Sequence, residues 1–230
     1  MFIALEDVSR LLKIPVVGKA VAVKPLSKPE AIELVSRCLE VSKKEPETAI
    51  NPQRGMNVKK SWLKSKWGTK PKRTKKVKDK RISTPRVECT TRTYLWYMLG
   101  CTLFVDKTST QVHIQLLQLL ENLDEISKYA WGASVLAYLY WRLGSASHVD
   151  ACYIAGYLTL LEGWVYEHWN VHLAHIYTKY VDALPRACRW ILKKEQGLNR
   201  SNVERLRRSL DWAQASKVLL LFKPVNSNLD

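Results

Sequence analysis

The sequence predicts a mostly α-helical fold, an irregular multi-helix bundle with short extended pieces and one long basic loop. Three observations carry this. Apolar residues recur at helical spacing along most of the chain, capping boxes open two of the patterned stretches, and one window abandons apolar patterning for charge. With 230 residues, 47% of them hydrophobic, the chain is long enough and apolar enough to bury a sizeable core and cannot be disordered throughout.

Taken in order, Leu5, Val8, Leu11 and Leu12 share one face of a first helix that Pro15 and Gly18 close. Val21 to Val23 reads as a brief extended piece. Ser27-x-x-Glu30 is a capping box, in which the serine accepts from the amide three residues on and the glutamate reaches back. Ile32, Val35 and Leu39 then face one way, and Pro46 to Pro52 reads as loop. Trp62, Leu63 and Trp67 are apolar anchors. From Thr91 the helical pattern is dense: Tyr94, Leu95, Met98 and Leu99 form a two-wide stripe, and Leu116, Leu120, Leu123 and Ile126 form another face. A helix over Ala133–Leu143 ends at Gly144 as its cap, Asp150 caps a helix running through Trp164, and Asn170 caps one ending near Leu184-Pro185. Ser201-x-x-Glu204 opens a last helix through Leu210, and Lys217 to Lys223 (KVLLLFK) has strand-like hydrophobicity.

The net charge of +16 is concentrated. Between Lys59 and Arg86 stand thirteen Lys and Arg against the single Asp79, a net +12. Gly68 to Arg81 (GTKPKRTKKVKDKR) holds no large apolar residue but Val77, too little to offset its ordering entropy, so a mobile loop is expected there. It separates an N-terminal part, 1–58, from a helical body, 87–230. Lys70, Lys72, Arg73, Lys75, Lys76, Lys78, Lys80 and Arg81 suit two tasks with one physics: contact with a nucleic-acid backbone, or capture by the acidic grooves of a nuclear import receptor. Trp62 and Trp67 beside them pack against the body or stack on bases.

No basic segment precedes an apolar stretch at the N-terminus, and the longest uncharged apolar runs, Tyr94 to Val105 and Tyr129 to Trp141, fall short of the ~20 residues that span a bilayer. Five cysteines with no CxxC pair argue against a disulfide framework and a zinc ribbon. The expectation is a soluble intracellular protein with no membrane contact.

Few constellations could carry chemistry. His168, His172 and His175 stand at i, i+4 and i+7, so a continuous helix would gather three imidazoles on one face, with Glu162 or Glu167 nearby as further metal ligands or a base. The residue after His168 is Trp169, so no HExxH motif is present. Ser147-His148-Val149-Asp150 reads as a polar interhelix loop, since triad members come from different elements. Asp124 and Glu125 read as a solvated face, and Cys101 as an inert thiol in an apolar run. There is neither a Walker loop nor a GxGxxG turn.

The run YLWYMLGCTLFVDKTSTQVHIQLLQLLENLDEISKYAWGASVLAYLYWRL, from Tyr94 to Leu143, resembles the plant mobile domain, also labelled aminotransferase-like, the family of the maintenance-of-meristems proteins. LEDVSRLLKIPVVGKAV is similar to the family's opening segment, Lys60-Ser61-Trp62-Leu63 to the element before its long loop, and Pro185 to Trp190 with Leu206 to Trp212 to its C-terminal part. The signature residues are Gly100, Leu103, Phe104, Asp106, Leu123, Asp124, Trp131, Gly132 and Trp164. The resemblance implies a transposon-derived, mostly helical nuclear protein without catalysis, working in genome integrity, transposon silencing and meristem maintenance. Its implied partners are nuclear proteins, phosphatase-like members of the same family among them, and DNA. It also implies a copy shortened at its N-terminus. No cofactor is expected, because the phosphate-binding pattern of a pyridoxal enzyme is missing. The alternatives are a metal-dependent hydrolase or nuclease-like remnant built on the three histidines, and an inert transposon relic. Under the first reading the aromatic residues are structural, and Trp131 and Trp164 should be deeply buried.

Overall fold

The computed structural model describes residues 2–50, 55–67, 84–106, 110–148, 150, 153–168, 174–192 and 208. Along the chain run α1 (Leu5–Leu12), α2 (Lys28–Leu39), α3 (Lys44–Ala49), β1 (Asn57–Lys59), α4 (Lys60–Trp67) and α5 (Thr84–Met98). A π-helical turn (Leu99–Leu103), β2 (Gln111–His113) and two 3-10 segments (Ile114–Leu120 and Leu123–Lys128) follow. The remainder is α6 (Trp131–Ala146), α7 (Leu158–His168), β3 (Ala174–Ile176), a 3-10 turn (Arg186–Arg189) and β4 (Trp190–Leu192). The predicted mostly helical class is what is observed. β1 pairs antiparallel with β2, Val58 opposite Val112, and β3 pairs antiparallel with β4, His175 opposite Ile191. The predicted loop Gly68 to Arg81, the Ser201 capping box and the KVLLLFK segment lie outside the described residues. So does most of the 59–86 window, whose described flanks are the end of β1, α4 and the start of α5.

By compactness the chain forms two units, a central one (Ile14–Tyr157) and a terminal one that joins Met1–Lys13 to Leu158–Asp230. This grouping of the first thirteen residues with the last part of the chain is not visible in the sequence.

The central unit packs α2 against α5 and the first 3-10 segment and α4 against α5, and α6 buries Trp131, Val135, Leu136 and Leu139. α2 buries Ala31, Leu34, Val35, Cys38 and Leu39, with Ile32 only half-buried. Its capping box shows the glutamate half: the Glu30 carboxylate accepts from the Ser27 N–H at 2.7 Å and from the Ser27 hydroxyl at 2.6 Å. The predicted loop at Pro46 is instead α3, where proline sits in the first turn and its missing N–H deprives no carbonyl of a partner. Along α5 and into the π-helical turn the buried residues are Thr93, Trp96, Leu99 and Gly100, while Tyr94 is 45% exposed, so the face is rotated from the predicted Tyr94–Leu95–Met98–Leu99 stripe.

The predicted helix through Leu116 and Ile126 is two 3-10 segments. At three residues per turn, Ile114, Leu117 and Leu120 fall in one fully buried row, and Asn122 accepts from the Asp124 N–H at 3.0 Å to start the second segment. Gly144 does not cap α6: the helix continues to Ala146, and the Ser147 N–H bonds to the Leu143 carbonyl. Val21 to Val23 is no strand. The chain there is fastened instead by Lys19, which bridges to Tyr129, and by the Gln118 amide, which donates to the Lys24 carbonyl and accepts from the Lys24 N–H. Gly18 is required at this approach, because φ is +145° and a Cβ would collide with the Lys128 carbonyl oxygen.

The terminal unit packs α1 against α7 and the 3-10 turn. Val8 and Leu11 of α1 and Leu160, Gly163 and Trp164 of α7 are buried. The predicted cap at Asp150 misplaces the start of α7, since residues 153–157 are not helical and Gly156 takes φ +100°. The helix predicted from Asn170 to Pro185 is not formed either. Asn170 lies outside the described residues, Ala174–Ile176 is β3, and the turns that follow are held by Lys13, whose Nζ donates to the Asp182 and Ala183 carbonyls at 2.8 and 3.0 Å. Among the described residues no helix is long and apolar enough to cross a membrane.

Candidate functional site

The basic window enters the described structure through β1 and α4. The Lys60 N–H donates to the Thr110 carbonyl at 2.9 Å, continuing the β1–β2 ladder by one bond and placing the first turn of α4 beside Thr110 and Gln111. A cleft of about 450 Å³ opens there, lined by Lys59, Lys60, Ser61, Lys64, Thr110 and Gln111. Lys60 and Lys64 are one turn apart, and their ammonium groups sit 5.5 and 5.6 Å from the centre of the Tyr97 ring on α5. Among the described residues no carboxylate lines the cleft. Lys66, by contrast, is neutralised by Glu45 and lies over Trp62. Leu63 is fully buried, so α4 is anchored on one side and presents its lysines on the other. The eight predicted contact residues from Lys70 to Arg81 lie outside the described residues.

The signature residues fall mainly into packing. Gly100 faces β2 so closely that a Cβ would collide with Val112. Phe104 packs edge-on against Tyr138 at 5.5 Å, Leu103 and Leu123 are half-buried, and Asp124 is exposed. Trp131 and Trp164 are 7% and 5% exposed, as expected. The Gly132 N–H donates to the Pro15 carbonyl at 2.8 Å, tying α6 to the opening segment. Asp106 is the polar member of the set. It pairs at 3.0 Å with Arg142, whose guanidinium also donates to the Tyr138 hydroxyl and lies 4.5 Å from the Trp141 ring. His113 lies in this electrostatic neighbourhood, and burial lowers its pKa from the ordinary 6.5 against the opposing pull of Asp106.

The three-histidine face is not formed. α7 ends at His168, His172 lies outside the described residues, and His175 is exposed on β3. His168 is taken up by Asp7, 3.4 Å away, and by the Trp164 ring. Among the described residues no group of three or more His, Cys, Asp or Glu is placed to hold a metal ion. Glu167 is likewise occupied: it accepts from Arg186 Nε at 2.7 Å and from Trp190 Nε1 at 2.6 Å. Cys101 is half-buried in the π-helical turn, and burial raises its pKa although Lys60 and Lys64 pull it down.

Several of these residues escaped the sequence reading. Thr110 and Gln111 carry no local motif and reach the cleft through strand pairing, and Tyr97 meets Lys60 and Lys64 through the packing of α5 on α4. Arg142 directly follows the apolar run that ends at Trp141 and carries no motif of its own. Asp7 and Glu167 did leave a signal, since each is a carboxylate within the apolar face of its helix.

Residues 1–228, which carry all of these pieces, match the model of one known family, described as plant mobile domain. The chain belongs to the plant mobile domain family. Among curated relatives from Arabidopsis thaliana, Protein MAIN-LIKE 2 is 32% identical over 222 residues, 96% of this chain and 31% of the relative. Protein MAINTENANCE OF MERISTEMS is 32% identical over 218 residues, 95% of this chain and 42% of the relative. The Serine/threonine-protein phosphatase 7 long form homolog is 30% identical over 146 residues, 59% of this chain and 10% of the relative. This plant mobile domain chain thus spans less than half the length of these relatives. No solved structure matches it.

Proposed function

We propose that this plant mobile domain protein is a non-enzymatic nuclear protein that contacts DNA through residues 59–86 and works with protein partners in genome maintenance, transposon silencing or meristem development. One observation carries the reading: a net +12 is focused in a single window, and its described base holds Lys60 and Lys64 beside a cleft that no carboxylate lines among the described residues. Charge so placed releases counterions from a phosphate backbone on binding. The buried carboxylates Asp7 and Glu167 are committed to indole, imidazole and guanidinium groups, which fits a structural rather than a catalytic use. The names of the relatives support the choice of process, and the phosphatase homolog makes phosphatase-like members of the same family the first partners to test.

The experiment is a salt titration of duplex-DNA binding by wild type and by a variant whose Lys and Arg from Lys70 to Arg81 are Gln. The expected log–log slope approaches ~0.9 per phosphate neutralised in wild type and collapses in the variant. A flat, weak response in both proteins removes DNA from the reading. A fluorescent fusion that stays outside plant nuclei removes the nuclear assignment.

A further inference from the structure

We infer that the cleft formed by the end of β1, the first turn of α4 and the start of β2 is a discrete phosphate-binding site, separate from the Gly68 to Arg81 segment. The inference draws on the anionic-partner reading above only for the source of the phosphate. Its own support is the donor set.

Three lysines, Lys59, Lys60 and Lys64, converge on the cleft together with the hydroxyl-bearing Ser61 and Thr110 and the amide-bearing Gln111. Gln111 Oε1 already accepts from Asn57 Nδ2 at 3.3 Å, which leaves the Gln111 amide hydrogens as its donors. Each of the six described lining side chains can therefore donate, and three of them carry a positive charge. A carboxylate ligand offers two oxygens and one charge, whereas a phosphate offers more oxygens and more charge and so matches this set better. Two ammonium groups over the single Tyr97 ring repel each other, and among the described residues no carboxylate of the cleft relieves the repulsion. An anion placed between them is attracted by both. The volume of about 450 Å³ admits a phosphate with a sugar or a second phosphate attached.

The surrounding structure holds the donors in place. Leu63 is fully buried beneath α4, Lys60 is tied to Thr110 through the main chain, and Lys59 stands opposite Gln111 in the β1–β2 register. Cys101 supplies an internal reporter, because its thiol senses both Lys60 and Lys64. A phosphate in the cleft offsets the two ammonium charges, so the thiol is harder to ionise and reacts more slowly.

The test uses the full chain and inorganic pyrophosphate as the probe. Calorimetric titration is run on wild type, on K60Q/K64Q, on K60R/K64R and on the Lys70–Arg81 Gln variant, each first shown to melt cooperatively like wild type. The expected result is saturable binding that K60Q/K64Q weakens at least tenfold and that the other two variants retain. Pyrophosphate should also slow iodoacetamide labelling of the Cys101 peptide in wild type and leave it unchanged in K60Q/K64Q. No saturable binding, binding untouched by K60Q/K64Q, or binding lost with the Lys70–Arg81 variant alone overturns the site.

A duplex-DNA salt titration of K60Q/K64Q then identifies the source. A salt slope lower by about 1 supports the site as a holder of a backbone phosphate. An unchanged slope together with lost pyrophosphate binding supports it as a holder of a free polyphosphate. If the Lys70–Arg81 variant binds DNA as wild type does, the proposed DNA contact through that segment fails while the cleft stands.

Discussion

Both units bury tryptophan, yet they satisfy the indole N–H in different ways. In the central unit Trp96 Nε1 donates to the His113 carbonyl at 2.9 Å and Trp131 Nε1 to the Ile126 carbonyl at 2.7 Å. In the terminal unit Trp164 Nε1 donates to Asp7 Oδ2 at 3.1 Å and Trp190 Nε1 to Glu167 Oε1 at 2.6 Å. The central acceptors are main-chain carbonyls, His113 at the end of β2 and Ile126 within the second 3-10 segment, where it also accepts the Tyr129 N–H. The terminal acceptors are buried carboxylates that also hold His168 and Arg186. One unit is therefore assembled mainly by apolar packing with local polar repair, and the other around two ion-centred clusters. Charge-assisted hydrogen bonds are roughly twice as strong as neutral ones, and a charge left unpartnered after burial is costly. The terminal unit should be the more sensitive to loss of a single donor.

The largest effect is expected from removing the rings. Trp96→Ala and Trp164→Ala should each destabilise by ~3–5 kcal/mol, because both side chains are buried and neither site can refill its volume. Cooperative thermal or denaturant melts measure this, and a wild-type melt for either variant breaks the account of its unit. The comparison itself is sharpened by phenylalanine, which keeps a ring and removes the N–H. Trp164→Phe should cost ~1.5–3 kcal/mol and Trp96→Phe ~0.5–1.5 kcal/mol, the values for hydrogen bonds to charged and to neutral acceptors. Equal costs would mean that the carboxylate confers no advantage over the carbonyl.

A smaller effect separates the units by pH. Burial of His113 disfavours the imidazolium, so its pKa in the folded central unit lies below the ordinary 6.5. The unfolded chain binds the proton more readily. His113 thus contributes full stability above pH 6.5, and that stability is lost as pH falls through 6.5 toward the folded value. Melts from pH 7.5 to 5.0 should show a shallower acid loss in His113→Gln than in wild type, and parallel curves would remove His113 from the pH response.

Helix class, the first helix, the Ser27–Glu30 contact and the burial of Trp131 and Trp164 were legible in the sequence because they depend on spacing within a few residues. Rotation of the α5 face was not, because Tyr94 and Trp96 look equally apolar until neighbouring elements choose between them. The 3-10 row Ile114–Leu117–Leu120 was hidden inside a leucine-rich run that satisfies a period of three as readily as a longer one. The i, i+4, i+7 spacing of the histidines means one surface only within one continuous helix, and His175 lies on β3 instead.

The sequence by itself determined the family, the mostly helical class and the concentration of charge in residues 59–86, since each is fixed by which residues follow one another. Only the tertiary structure decided that residues 1–13 join the terminal unit, that Asp7 and Glu167 accept from the indoles of Trp164 and Trp190, and that Lys60, Lys64, Thr110 and Gln111 share one cleft while Tyr97 lies against the two lysines. These are contacts between residues far apart in the chain. They exist because strand pairing and helix packing satisfy main-chain groups and remove apolar surface from water at the same time, and neither requirement is written in any local stretch.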